Sequence, residues 1–349
     1  PGLYLGMGVD SEPNGQPDAE SGVVPPGGDD NDPSTYNVGM VPASGDDEDG
    51  VRILTPLIPG YEACLEIKTT VQAPHTGAFL SAWIDFDGNG VYDASEKVTF
   101  TTINGAAVNS SAPAIPQGQL TRKYCFNVPA NATFQGGAAN MRFRLSKTAN
   151  MNPTGLVVFG EVEDYWQPLA IVGNYAWMDS DIEGDQDLAE MMLASVPVQL
   201  RWFGEDAAFG TADDRLYNTT TDALGVYLYR GLIPGGYRIT PLKYTGVNNP
   251  DNVQPVNKVL TIPNLPPNDN IDSDANPFIP VTIPDLITNF LPVNEDGLKD
   301  NNGLNGFPDK NENLSLDMGF INKPAIAASL GIQGVAKASS GTCGHFDVI

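Results

Sequence analysis

Glycine and proline punctuate this chain so densely that a long helix has no room to form. There are 37 glycines and 29 prolines among 349 residues. Such breakers favour short strands joined by tight turns. Between them, apolar and polar residues alternate with period two, as expected of strands that bury one face. The first series reads "RILTPLIPGYEACLEIKTTV", "GAFLSAWIDF", "EKVTFTTI", "LTRKYCFNVPA", "ANMRFRLSK" and "GEVEDYWQPL". In "NMRFRLSK" the apolar residues are interleaved with Arg and Lys, which fixes which face is buried. A series of this kind predicts an antiparallel sandwich.

A second β-rich series follows: "VGNYAWMD", "VPVQLRWFG", "RLYNTTTDALGVYLYRGLIPGGYRITPL", "NKVLTIP", "FIPVTIP" and "LSLDMGFIN". The chain length suggests two or three domains. We place the boundary near Pro168 to Ile171. The stretch "QDLAEMMLA" has enough helix formers for a short helix, and reads equally well as a loop entering the strand "VPVQL". The reading is therefore all-β, with tandem β-sandwich domains over 1–168 and 169–323. Residues 324–349, ending "GHFDVI", read as the first strands of a further module, so the expectation is a piece of a longer polypeptide.

Acidic residues number 43 against 18 basic ones, a formal net charge of −25. A chain so acidic repels nucleic acid and anionic membranes. No apolar run is long enough to span a bilayer as a helix. The compact chain also repels itself, which bound divalent cations would relieve. A solvated acidic surface is the simpler alternative, but the acids cluster at fixed offsets in short loops. The three cysteines, Cys64, Cys125 and Cys343, form no C-x-x-C, and the histidines are only His75 and His345. That argues against a zinc site or a Cys/His catalytic pair. Cys64 and Cys125 lie in strand-like segments and could form a disulfide or remain two buried thiols.

The acids recur in two matching segments, "AWIDFDGNGVYDASE" from Ala82 and "AWMDSDIEGDQDLAE" from Ala176. The first fits the EF-hand pattern D-x-[DN]-x-[DN]-G-x5-E, and the second fits it with Glu at the fifth position. Ca2+ takes six to eight oxygens, and such a loop supplies them from positions 1, 3, 5, 7, 9 and 12. In the first loop these are Asp85, Asp87, Asn89, the Val91 carbonyl, Asp93 and Glu96. In the second they are Asp179, Asp181, Glu183, Asp185, Asp187 and Glu190. Gly90 and Gly184 sit at the turn, where the backbone needs positive φ. An acidic β-turn without an ion is the competing reading. Strands rather than helices flank both loops, so the ion would pin a connection and not act as a sensor. Weaker candidates are a site shared by Asp46, Asp47, Asp49, Glu161, Glu163 and Asp164, and additional ligands Asp272, Asp274, Asp300 and Asn302. Solvated turns explain these equally well.

The segment "FGEVEDYW", Phe159 to Trp166, resembles the signature of the GEVED domain. The upstream "DDEDGV", the strand and loop from Trp83, and "LYLGMGVDSEPNGQPD" resemble that family's other motifs in the same order. The second half resembles the SdrD B-like repeat, a calcium-binding relative of the Cna B-type fold. Its opening "VGNYAWMDSDIEGDQD" is followed by "FGTADD", "TTTDALGVYLYRGLIPGGYRI", "IDSDA" and "LDMGF" in the expected order. Two departures are local: Glu183 replaces the usual Asp, and "LAEMMLASVPVQL" lacks the usual glycines. The resemblance implies a stalk or adhesin segment of a large bacterial surface or secreted protein, placing it outside the cell or on its surface.

Taken together, these readings predict a non-enzymatic, calcium-stiffened segment of a surface adhesin or extracellular filament. Its partners would be neighbouring modules of the same polypeptide, with a host, surface or glycan ligand or self-assembly as further possibilities. The alternatives are a carbohydrate- or protein-binding module, a non-catalytic appendage of a secreted hydrolase, and a filament subunit that assembles by strand addition. No G-x-S-x-G or H-E-x-x-H motif is present. The four tryptophans, Trp83, Trp166, Trp177 and Trp202, fall on strand patterns, where core packing is their expected role and sugar stacking an alternative for one or two.

Overall fold

The computed structural model describes residues 2–6, 49–157, 159–242, 258–261, 273–275, 279–284 and 311–322. The reading of 324–349 as a further module lies outside these residues. So do Asp46, Asp47, Asp272, Asp300 and Asn302 among the candidate ligands.

The first half is built from β1 (Leu3–Leu5), β2 (Val51–Ile53), β3 (Glu62–Val71), β4 (Gly77–Ile84), β5 (Phe100–Ile103), β6 (Ala106–Ser110), β7 (Ala114–Pro116), β8 (Gly118–Asn127), β9 (Ala138–Ser146) and β10 (Gly160–Pro168). One sheet runs β1-β3-β8-β5-β6 with β2 also on β3, and the other runs β10-β9-β4-β7. Their pairings are antiparallel. Period-two alternation decides the faces. On β3, Ala63, Leu65 and Ile67 are fully buried. They share the core with Leu80, Ala82 and Ile84 of β4 and with Met141, Phe143 and Leu145 of β9. Each large apolar side chain so buried contributes roughly 1.5–3 kcal/mol.

Leu169 alone separates β10 from β11 (Ala170–Met178). The second half continues with β12 (Met191–Met192), β13 (Pro197–Trp202), β14 (Arg215–Thr220), β15 (Val226–Leu232), β16 (Gly235–Pro241), β17 (Lys258–Leu260), β18 (Ile279–Ile283), β19 (Glu312–Asn313) and β20 (Met318–Asn322). One sheet runs β12-β11-β20-β17, with β15 and β19 also on β11, and the other runs β14-β13-β16-β18. Here β11 pairs in parallel with both β19 and β20. Val198, Leu200 and Trp202 of β13 point inward to meet Tyr217, Tyr229, Tyr237 and Ile239. The fold is thus all-β, two sandwiches in tandem.

The stretch "QDLAEMMLA" forms no helix. It is a loop and turn ending in β12, because Glu190 is committed to loop amides described below. Cys64 and Cys125 face each other across β3 and β8 and are joined as a disulfide. Trp83, Trp177 and Trp202 are buried, at 2%, 0% and 3% exposure, which leaves them no face for stacking sugars. Trp166 is half-buried.

The sandwiches touch directly at the joint. The Leu57 amide donates to the Gly231 carbonyl at 2.8 Å. The Tyr61 hydroxyl donates to the Asn218 carbonyl at 2.9 Å and accepts from the Asn218 amide at 2.6 Å. Arg52 meets Glu205 at 2.9 Å, and the Asn311 side chain donates to the Gly137 carbonyl at 3.0 Å.

Candidate metal sites

In the first sandwich β4 ends at Ile84, and Asp85 follows at 1% exposure. Its Oδ1 accepts from the amides of Gly88 at 2.7 Å and Asn89 at 3.1 Å, and its Oδ2 from Gly90 at 2.9 Å. Gly90 holds φ at +81°, the left-handed turn that lets three successive amides converge on one carboxylate. Asp87 accepts from the Asn89 backbone and side chain, both at 3.0 Å. Asn89 accepts from the Val91 amide at 2.7 Å. Glu96, 4% exposed, closes the loop by accepting from Phe86 at 2.8 Å and Asp93 at 3.1 Å. It ends a short 3-10 turn, Ala94–Glu96, whose first amides Asp93 caps.

Asp85, Asp87 and Glu96 each bring a carboxylate oxygen to within 4.8 Å of the others. Burial, with Asp87 adding repulsion, raises the Asp85 carboxyl against the pull of its three amides. Burial, with Asp85 beside it, pushes Glu96 up to about 7. Two buried carboxylates whose charged forms are disfavoured by burial and by neighbouring charge, with the exposed Asp87 carboxylate beside them, suit a hard cation, which reverses both effects. Nearby, the Lys97 ammonium donates to the Met151 carbonyl at 3.0 Å and lies 5.2 Å from the centre of the Trp83 ring.

The second loop repeats the framework. Asp179, 2% exposed, accepts from Ile182 at 2.6 Å and Gly184 at 3.0 Å. Glu190 accepts from Ser180 at 2.6 Å and Asp187 at 3.2 Å. Counted from the first Asp, position 1 takes the amides of positions 4 and 6 in both loops, and position 12 those of positions 2 and 9. The side chains differ. Here Asp179, Asp181 and Glu190 form one cluster, and Asp181, Glu183 and Asp187 a second, fully exposed one. Repulsion from Asp181, more than any other cause, raises the Glu183 carboxyl.

Not every expected ligand converges. Asp93 is occupied in capping the 3-10 turn, and the Val91 side chain is 61% exposed, leaving only its carbonyl as a candidate. Asp185 joins neither carboxylate cluster. Two partners lay beyond sequence reasoning. The Thr261 hydroxyl donates to Asp179, and the Ser273 amide donates to the Gly184 carbonyl at 3.1 Å. Both come from distant segments: the one around Thr261 has no acidic signature, and Ser273 sits between Asp272 and Asp274, where the sequence points to the acids and not to the Ser273 amide.

Residues 79–167 match the family model of the GEVED domain, and residues 170–289 that of the SdrD B-like domain. The chain joins a GEVED domain to an SdrD B-like domain. It is 31% identical over 152 residues to serine-aspartate repeat-containing protein F of Staphylococcus epidermidis, covering 41% of this chain and 9% of that protein. It is 25% identical over 183 residues to serine-aspartate repeat-containing protein D of Staphylococcus aureus strain Newman, covering 47% of this chain and 13% of that protein. The chain therefore spans a small fraction of these relatives. Among solved structures it is similar to the Actinomyces fimbrial adhesin FimA, at 12% identity and a TM-score of 0.32, over 67% of this chain and 95% of that one. It is also similar to domains D2 and D3 of the major pilin SpaD from Corynebacterium diphtheriae, at 11% identity and a TM-score of 0.34, over 78% of this chain and 98% of that one.

Among the described residues, the signature acids of the GEVED domain do not all face one place. On β10, Glu161, Glu163 and Tyr165 share one strand face. Glu161 accepts from the Leu5 amide, and Glu163 accepts from the Gly50 amide at 3.2 Å and the Tyr165 hydroxyl at 2.9 Å. The Tyr165 hydroxyl accepts from the Gly50 and Val51 amides at 3.0 and 2.9 Å. Asp49 is buried beside Gly6. Asp164 points to the opposite face, where the Arg142 guanidinium grips it through two bonds of 2.7 and 2.6 Å. It is an ion-pair partner set apart from Glu161 and Glu163, because neighbouring residues on a strand face opposite ways. The other acids tie β10 to the chain around β1 and β2. In the SdrD B-like domain, Asp274 accepts from the Asp317 amide at 2.7 Å. That contact fixes the approach to β20 and does not join either carboxylate cluster.

Proposed function

We propose that this chain is a non-catalytic, calcium-stiffened segment of a bacterial cell-surface adhesin or extracellular filament. The observation that carries the reading is the pair of loops, in two different β-domains, with one hydrogen-bond framework and carboxylates gathered within 4.8 Å. Asp85, Asp87 and Glu96, with Asn89 and the Val91 carbonyl, would hold Ca2+ in the GEVED domain. Asp179, Asp181, Glu183, Asp187 and Glu190 would do so in the SdrD B-like domain.

Each ion would neutralise charge in a chain of net −25 and clamp the end of a core strand, β4 or β11, to the segment that follows. No helices flank the loops to be swung apart, so the ion acts as a rivet. The connection between β10 and β11 through Leu169, with Pro168 before it, leaves little slack between the modules. Relatives far longer than this chain fit its role as one portion of a larger protein.

Small-angle scattering in calcium and in excess chelator tests the stiffening. The expected outcome is a larger, more heterogeneous particle in chelator, with new proteolytic cleavage inside 85–96 and 179–190. Identical scattering profiles and cleavage patterns would defeat the proposal.

A further inference from the structure

The disulfide lies on the wrong side of its sheet for a core bond. On β3, Glu62, Glu66 and Lys68 share the parity of Cys64 and are exposed or half-buried, while Thr70, of the same parity at the far end of the strand, is buried. On β8 those with the parity of Cys125 are Lys123 and Asn127, both exposed. Yet Cys64 is 0% and Cys125 4% exposed. The pair belongs not to the main core but to a small separate cluster with Leu54.

Two things cover it. The strand-to-strand segment of the GEVED domain folds across: the Leu54 amide donates to the Cys64 carbonyl at 2.9 Å, and the Cys64 amide to the Thr55 hydroxyl at 2.9 Å. The other cover comes from the SdrD B-like domain. Arg215, at the start of β14, donates to the Glu62 carbonyl at 3.2 Å and sets its second guanidinium nitrogen 3.5 Å from Cys64 Sγ. Around this contact stand the Tyr61–Asn218 pair, the Arg52–Glu205 ion pair and the Leu57–Gly231 bond. At Gly231, where φ is +78°, an added Cβ would lie 2.2 Å from the Leu57 carbonyl oxygen, so the two modules meet at backbone distance.

We propose that the SdrD B-like domain guards the Cys64–Cys125 disulfide, making it a thiol-exchange site that becomes reactive only when the joint between the modules opens. A thiolate must approach along the S–S axis, and the docked module obstructs the outer face from which that approach is made. Once the joint opens, the thiolate of an external dithiol attacks one sulfur. The S–S bond breaks, the other cysteine leaves as a thiolate, and a mixed disulfide forms. The second thiol of the reagent then displaces the first cysteine. The dithiol is oxidised by two electrons, and both cysteines end as thiols.

The test uses the full chain with dithiothreitol under native conditions, with free thiols trapped by a maleimide and counted by mass. Arg215→Ala and Arg52→Ala, singly and together, should speed reduction, with the double variant at least fivefold faster, while the thermal midpoint of the GEVED domain stays unchanged. Gly231→Ala attacks the joint from a separate contact and should give the same acceleration. Unchanged rates in all these variants would overturn the proposal. So would rates that rise only in proportion to a fall in midpoint, since reduction would then require global unfolding.

Discussion

The two acidic loops share a backbone plan and differ in where they put their charge. In the GEVED domain the cluster is sunk into the end of the sandwich, with Asp85 and Glu96 buried. In the SdrD B-like domain only Asp179 is equally buried, Glu190 is half-buried, and a second cluster of Asp181, Glu183 and Asp187 stands in solvent. The contrast separates two jobs that one motif combines. The position 1 and 12 carboxylates organise the main chain whether or not an ion is present, because amides already bind them. Of the remaining acids, Asp87 and Asp93 hold local turns, and the exposed cluster of the second loop mainly adds charge. The first loop is therefore mostly framework, and the second is framework with an exposed charged rim.

If that division is right, the largest single-residue effect should come from the framework. Asp85→Ala leaves the amides of Gly88 and Gly90 without their acceptor, and that of Asn89 with Asp87 alone, and should cost roughly 2–4 kcal/mol in denaturant unfolding, even in chelator. Asp179→Ala should do the same to the second sandwich, where Ile182, Gly184 and Thr261 lose their acceptor. Each loss should be confined to its own transition. Equal losses in both transitions would mean that the loops are not independent. Asp85→Asn keeps an acceptor oxygen, so it should be much milder in chelator while abolishing the gain from calcium.

Next comes a pH effect that belongs to the buried loop. In the folded chain Glu96 is pushed up to about 7, against an ordinary value of 4.5. Between those values the folded state holds the proton more tightly than the unfolded state, so stability falls as pH rises. In chelator, the GEVED transition should lose stability from pH 5 to pH 8, and Glu96→Gln should remove that slope. Saturating calcium should also suppress it, because the ion favours the charged carboxylate. A flat profile in chelator would show that the burial of Glu96 carries no such cost.

The smallest effect should come from the rim. Glu183→Gln relieves repulsion from Asp181 but removes a candidate ligand. The second transition should rise slightly in chelator and fall slightly in calcium. Added salt should mimic the rise in chelator, since exposed charges are screened and buried ones much less so. A shift of the same sign in both conditions would remove Glu183 from the ion's coordination.

Much of this arrangement was legible in the sequence, for identifiable reasons. Alternation along "VPVQLRW" fixes the buried face of β13, and the position 1, 6 and 12 residues mark each loop; in "NMRFRLSK" it marks only the face turned to the core, because Arg142 and Arg144 on the other face are buried as well, bonded to the carbonyls of Pro153, Asn152 and Gly155. Parity alone would have separated Asp164 from Glu161 and Glu163, since adjacent strand residues cannot share a face. What the sequence could not supply were contacts set by distant register. Thr261 reaches Asp179, and Ser273 reaches Gly184, only because β17 and the 273–275 segment pack beside β20. The disulfide likewise depends on how β3 aligns with β8. Its cover by Arg215 depends on how the modules dock, which no local pattern encodes.

The central claim, that both loops are calcium rivets, is tested most directly by scanning calorimetry of the full chain in saturating calcium and in excess chelator. A site filled to a hundred times its dissociation constant adds about 2.7 kcal/mol to the native state. For modules of this size that corresponds to a shift on the order of 10 °C. The account predicts that both transitions fall on chelation, and that Asp85→Asn abolishes the shift of the first while leaving the second intact. Two transitions that stay in place when calcium is removed would contradict it.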